Sequence, residues 1–216
     1  MKLLRTILLS AAWLASLPAF ALSDDGQQRL QQLQTRWAEI NYQLPKAQRE
    51  AAFEKLGTEA ENALKADPRT PELLIWRGII LSTWAGAKGG MGALGLAKQA
   101  KASLEEAMAI DPRALQGSAY TSLGSLYYQV PGWPIGFGDD KRAETMLLKA
   151  LEINPDGIDP NYFYGDYLFR EKRYAKARGA LQRALAAPDR PGRALADKGR
   201  RDEVRALLAK VEAELD

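Results

Sequence analysis

The chain has 216 residues, is 46% hydrophobic and 26% charged, and carries a formal charge of +3 with no cysteine and no histidine. That length and composition suit one soluble domain with a real core. The two missing residue types exclude disulfides, thiol catalysis, a Ser-His-Asp triad and the usual zinc or haem ligand sets, and so small a charge gives no electrostatic case for nucleic acid.

The first element reads as an export signal. Lys2 and Arg5 precede an apolar stretch containing Leu8, Leu9, Trp13, Leu14 and Leu17. Pro18-Ala19-Phe20-Ala21 then supplies small residues at the −3 and −1 positions of a cleavage site. This is the layout of a secretory signal peptide over residues 1–21, with cleavage expected after Ala21. The apolar stretch is shorter than the roughly 20 residues that a bilayer span needs. No cysteine follows to carry a lipid. The mature chain, 22–216, is therefore expected free in the periplasm as a single domain without a membrane span.

Helical patterning follows. Leu30, Leu33, Trp37 and Ile40 share one helical face, as do Phe53, Leu56, Ala60, Ala63 and Leu64. From there four stretches end alike: AENALKADP, SLEEAMAIDP, MLLKALEINP and GALQRALAAPD. Each is a helical run stopped by a proline, which lacks the N–H and clashes with the preceding turn. The prolines are Pro68, Pro112, Pro155 and Pro188, spaced by 44, 43 and 33 residues. After three of these stops a further helix carries one glycine in its middle: Gly78, Gly124 and Gly165. A mid-helix glycine costs roughly 1 kcal/mol against alanine. Its recurrence at one register predicts close packing on a partner helix, where a larger side chain would not fit.

Gly90, Gly92 and Gly95 spell G-x-G-x-x-G, the fingerprint of a dinucleotide-binding loop. That loop needs a strand before it and a helix after it. The repeating register makes the preceding segment a helix, and the chain offers no alternating strand–helix pattern. The match is read as an accident. AGAKGGMGALG is instead expected to be an insertion between two paired helices. VPGWPIGFGDD, from Val130 to Asp140, is a second insertion at the same slot. Two insertions at one slot of adjacent stacked units are expected on the same edge, where such insertions build binding faces.

At the C-terminus, Val204, Leu207, Leu208, Val211 and Leu215 form an apolar stripe between charged residues, as a terminal capping helix needs. Just before it, Arg190, Arg193, Lys198, Arg200 and Arg201 are interleaved with Asp189, Asp197, Asp202 and Glu203. A solvated helix surface is the expectation there.

These patterns resemble tetratricopeptide repeats (TPR), pairs of antiparallel helices of about 34 residues. Gly165, Ala177 and Ala184 fit that family's small positions and Tyr174 its aromatic one, with Pro188 one residue early. Gly124, Ala143, Ala150 and Pro155 fit once seven residues are removed, and Gly78, Ala100, Ala107 and Pro112 once ten are. Ala63 and Pro68 close a degenerate first unit. The resemblance implies an all-α solenoid of antiparallel helix pairs with two inter-helix loop insertions. Its repeats run over about 27–68, 71–112, 117–155 and 158–188, with a cap over 193–216.

The stretch GWPIGFGDDKRAETMLLKALEINPD is also similar to exported helical-repeat proteins of the TRAP transporter T-component type, through Gly138-Asp139-Asp140-Lys141, Ala143, Ala150 and Pro155. That resemblance implies a periplasmic location and association with a TRAP substrate-binding protein. The comparable family members are often lipoproteins, and this chain lacks the cysteine for it.

Two functions stay open from the sequence. One is a non-enzymatic periplasmic scaffold that holds a protein or peptide in a concave groove. The other is a small-ligand-binding accessory component of a TRAP-type uptake system, with a hydrophobic pocket. The candidate binding residues are Met91 in the first insertion and Trp133, Ile135, Phe137 and Asp139 in the second. Trp84, Tyr127, Tyr128, Tyr162 and Tyr164 are candidate neighbours, and Asp166 is expected to face the groove. The competing reading has the loop aromatics plugging the core and Asp139 merely capping a helix. A paired-carboxylate hydrolase is formally open through Asp139, Asp140 or Asp166, but adjacent acids at a helix start read as caps. No enzyme activity, cofactor or metal is expected.

Overall fold

The computed structural model describes residues 22–216, so the expected signal peptide lies outside the described residues. Among them are nine helices: α1 (Asp24–Tyr42), α2 (Lys46–Ala66), α3 (Pro71–Lys88), α4 (Gly90–Ile110), α5 (Ala114–Gln129), α6 (Asp140–Ile153), α7 (Ile158–Arg170), α8 (Tyr174–Ala186) and α9 (Ala194–Ala213). No described helix is long and apolar enough to cross a membrane.

The helix ends follow the sequence signals. Asp67, Asp111, Asn154 and Ala187 each precede a proline, and their ψ angles of 75°, 103°, 73° and 142° lie outside the helical region. Helix starts are marked as well. Ser23 Oγ accepts from the Gly26 amide at 2.9 Å, Pro71 opens α3, and Asp139 Oδ1 accepts from the Arg142 amide at 3.0 Å.

Each helix packs on the next. The odd-numbered helices also touch one another in succession, whereas no two even-numbered helices meet. The odd helices therefore form the inner layer of a stack and the even helices the outer one. The buried apolar side chains form two groups. One holds Leu30, Leu33, Trp37, Phe53, Leu56 and Trp76 at the N-terminal end. The other runs from Ile75 through Leu104, Leu123, Leu147 and Leu181 to Val204.

The three mid-helix glycines sit where the sequence predicts a tight approach. A Cβ on Gly78 would lie 2.6 Å from Leu104 Cγ, one on Gly124 2.7 Å from Leu147 Cγ, and one on Gly165 2.7 Å from Leu181 Cδ2. Each of these leucines lies four residues, one helical turn, after the small residue Ala100, Ala143 or Ala177. The same glycine–leucine lock thus closes three consecutive helix pairs.

The structure corrects two expectations. The first insertion is not a loop. Its ten extra residues lengthen α3 and α4, and Gly89, at φ 64° and ψ −176°, makes the turn between them together with Gly90, at φ 59°. Alanines and leucines on either side favour helix strongly enough to carry the neighbouring glycines with them. The second insertion is a loop, residues 130–139, and it has a defined shape. The Gly138 amide donates to Pro131 O at 3.0 Å and the Asp139 amide to Tyr127 O at 2.8 Å.

The second correction concerns the charged C-terminal stretch. Asp197 is 2% exposed and Arg200 9%, so this is not a wholly solvated surface. The second half of α9 caps the stack as expected, with Val204, Leu207 and Val211 buried and Leu215 left 40% exposed. Its first half reaches further and touches α1. Ala196 joins the N-terminal apolar group, and Gly199 lies so close under the Tyr42 ring that a Cβ would collide with it. The inner layer therefore comes round on itself.

Candidate functional site

Two surfaces concentrate chemistry. The first is a rim where the start of α4 meets the 130–139 loop. Met91 is 98% exposed, Trp133 90% and Ile135 68%. Leu94 of α4 lies against Gly136 of the loop, so both departures from the repeat length occupy one edge. Phe137 turns inward instead, edge-on to Tyr127 with ring centroids 5.9 Å apart. Lys101 Nζ stands 5.9 Å from the Phe137 ring and the Arg142 guanidinium 5.8 Å from the Tyr127 ring. Phe137 is the plug that anchors the loop. Trp133 and Ile135 are what the anchored loop presents to solvent.

The second surface is the inner face, where α9 crosses between α1 and α7. Asp159 of α7 accepts from Arg200 Nε at 2.7 Å and from Arg190 Nη1 at 2.6 Å. Arg190 Nε and its amide also donate to Asp197, at 2.7 and 2.8 Å. The Arg200 guanidinium lies 4.6 Å from the Tyr162 ring centroid and 4.8 Å from that of Phe163. Arg193 lies 4.9 Å from the Trp76 ring. A planar guanidinium between aromatic faces and a carboxylate is the arrangement that favours arginine over lysine.

The titrations reflect this packing. Burial raises the Asp159 carboxyl, but attraction to Arg200 and Arg190 outweighs it and holds the group well below the usual carboxylate range. Burial pushes Tyr42 and Tyr162 up to about 12, with Arg200 opposing. Burial, then the neighbouring Arg190, lowers Arg193. Tyr42 Oη and Arg193 Nε are buried with no hydrogen-bond partner.

The sequence-predicted residues divide between these surfaces. Met91, Trp133, Ile135, Phe137, Asp139 and Tyr127 gather at the rim, with Asp139 capping α6. Tyr128 and Asp166 pair across α5 and α7, the hydroxyl donating to Asp166 Oδ2 at 2.8 Å. Arg170 lies over the Tyr128 ring at 5.0 Å. Tyr164 stacks on Tyr167 at 6.4 Å. Trp84 joins neither group; it faces Gly57 of α2. Sequence reasoning missed Asp159, Trp76, Phe163, Arg193 and Arg200 as site residues. Asp159, Tyr162, Phe163 and Asp166 have the 0, 3, 4, 7 spacing of one helical face, which was the available signal. Among the described residues no group of acids could hold a metal ion.

The chain is similar to a solved thermophilic TPR protein, TTC0263 of Thermus thermophilus, at 26% identity. The match has a TM-score of 0.55 and covers 88% of this chain and 91% of that one. The fold is TPR-like. MamA is also similar, at 22% identity and a TM-score of 0.44, over 78% of this chain and 92% of that one. So is PilF of Pseudomonas aeruginosa, at 17% and 0.36, over 89% and 91%. No family model matches the sequence, and no curated protein matches it. The TRAP resemblance read from the stretch around Gly138–Pro155 has no counterpart among these matches.

Proposed function

We propose that the protein is a non-enzymatic periplasmic scaffold that holds a protein partner against the rim. The observation that carries this reading is the exposure of Met91, Trp133 and Ile135 together on one edge. Scattered apolar residues need no explanation, but a grouped set along one rim, two of them on an anchored loop and one at the start of α4, marks an interaction site. Tryptophan is the residue type most often found at the energetic centre of such sites. Phe137 gives the loop its fixed shape, so less entropy is lost when a partner binds. The TPR-like fold fits a protein-binding role, and the leader-like residues 1–21 support the periplasmic location.

The small-ligand alternative asks Trp133 and Phe137 to line one pocket. Phe137 is packed on Tyr127 while Trp133 stands in solvent, which favours the protein-binding reading.

The test is photo-crosslinking in cells that export the full chain, with the photoreactive group at position 133. A discrete protein adduct is expected, lost when Met91→Asp and Ile135→Asp are introduced together. Mass spectrometry of the adduct tells whether the partner is a TRAP substrate-binding protein. No adduct, or one indifferent to the rim changes, overturns the reading. N-terminal sequencing of the exported protein is expected to begin at Leu22.

A further inference from the structure

Exposed apolar side chains mark the rim, but charge decides what can cover it. The lengthened α4 lays Met91, Leu94, Lys98 and Lys101 along one face, at the 0, 3, 7, 10 spacing of a helix. Leu94 lies against Gly136 and Lys101 reaches the Phe137 ring, so this face runs beside the 130–139 loop. Lys98 stands exposed in the row between those two contacts. The same edge continues to the turn between α7 and α8. Arg173, just before α8, donates to Glu144 near the start of α6. Arg170, closing α7, covers the Tyr128 ring near the end of α5 at 5.0 Å.

The bases along this edge divide into two kinds. Lys101, Arg142 and Arg173 hold Glu105, Asp139 and Glu144 and are neutralised. Lys98, Lys141, Lys172 and Lys176 are exposed, and none of them pairs with a carboxylate among the described residues. Asp140 and Glu171 are the unpaired acids there, and Asp140 opens α6, where the helix N-terminus already favours a negative charge. From Leu73 through Leu104 the sequence has no acid at all. The apolar tip therefore stands in an excess of positive charge, although the whole chain carries a formal charge of only +3.

We propose that the partner surface is a protein face apolar at its centre and acidic around it, and that its site runs from the start of α4 across the 130–139 loop to the α7–α8 turn. The proposal rests on the rim reading above and adds to it the partner's chemistry and the extent of the contact. A purely apolar partner would strip water from the unpaired lysines and return nothing. Carboxylates set around the apolar centre recover that loss, steer the encounter and fix its register.

The test uses the full chain, exported in cells, with the photoreactive group at position 135 so that Trp133 is kept. Lys98→Glu with Lys172→Glu reverses the edge. Lys65→Glu with Arg113→Glu makes the same change of net charge on the opposite edge, at the last turn of α2 and the α4–α5 turn. Adduct yield is expected to fall about tenfold in the first pair and to hold in the second. Lys98→Arg with Lys172→Arg is expected to keep the adduct, and all of these variants to keep the melting temperature, because the changed side chains are exposed and unpaired. Mass spectrometry locates the partner segment, and changing its carboxylates to lysine is expected to restore the adduct with the reversed chain. An adduct indifferent to the reversal overturns the acidic partner and leaves the rim reading standing. No adduct in any variant overturns both. A phospholipid adduct, or flotation of the mature chain with phosphatidylglycerol vesicles that Trp133→Ala abolishes, makes the edge a membrane contact and overturns both as well.

Discussion

Leu147 rests on Gly124 in a gap that admits no further atom. A Cβ on the glycine would lie 2.7 Å from the leucine Cγ and 3.3 Å from the carbonyl oxygen of Ala143. Leu147 is fully buried and has nowhere to retreat.

Gly124→Ala is therefore expected to destabilise. The new methyl gains about 1 kcal/mol in helix propensity. Overpacking a filled core costs about 1–3 kcal/mol. The net expectation is a loss of about 1 kcal/mol, read as a lower midpoint in urea with an unchanged slope.

The opposite sign is expected at Gly95. It lies inside α4, and a methyl added there would have nothing within 4 Å. Gly95→Ala should raise stability by about 0.5–1 kcal/mol in a thermal or urea melt. The same result would show that Gly95, the last glycine of the G-x-G-x-x-G run, sits in ordinary exposed helix with room for a methyl.

At the rim, Trp133→Ala is expected to change stability by less than about 0.5 kcal/mol, because the side chain is 90% exposed. Phe137→Ala removes the ring seated on Tyr127. A loss of about 2 kcal/mol is expected, below the usual cost of a fully buried phenylalanine because Phe137 is only partly buried. Partner crosslinking from a photoreactive group placed at position 135 should suffer in both variants, and only the first should keep its melting temperature.

Acid is expected to weaken the inner face. Asp159 is held well below its ordinary carboxylate range by Arg200 and Arg190 against the opposing effect of burial. A depressed folded pKa means the unfolded chain takes up the proton first. The stabilisation is thus complete above about pH 5 and is lost as pH falls from there through the folded value. Asp159→Asn should lower the melting temperature at pH 7 and flatten its decline between about pH 5 and pH 2.

Alkali acts through Tyr42, which burial raises to about 12 despite Arg200. With a raised folded pKa, stability is whole below the ordinary value near 10 and falls as pH rises from there toward 12. Tyr42→Phe loses a hydroxyl that has no partner. Near-neutral stability at pH 7 and a shallower alkaline decline are expected in chemical-denaturation series.

The repeat register was legible because glycine, alanine and proline report local geometry. Pro68, Pro112, Pro155 and Pro188 each follow the end of a helix, Pro71 opens one, and Gly78, Gly124 and Gly165 mark approaches that no other residue permits. The α3–α4 turn was not legible, because Gly86, Gly89, Gly90, Gly92 and Gly95 together read as a loop. The helix propensity of the flanking alanines and leucines carries Gly86, Gly92 and Gly95 into helix and leaves only Gly89 and Gly90 with positive φ. At the rim, the Trp133–Phe137 segment was found as a unit, but which ring turns inward depends on Tyr127 ten residues away. The inner face was missed for a different reason. Arg200 and Asp159 are 41 residues apart, and their pairing exists only because the stack bends far enough to bring its two ends together.

That meeting of α1 with α9 fixes the number of units. An open array gains or loses a helix pair with little consequence for the others. Here a duplicated pair between α2 and α7 would carry Gly199 away from Tyr42 and strand Arg193 from Trp76. Growth by tandem duplication, the ordinary route by which such arrays lengthen, is closed to this protein unless its clasp is first abandoned.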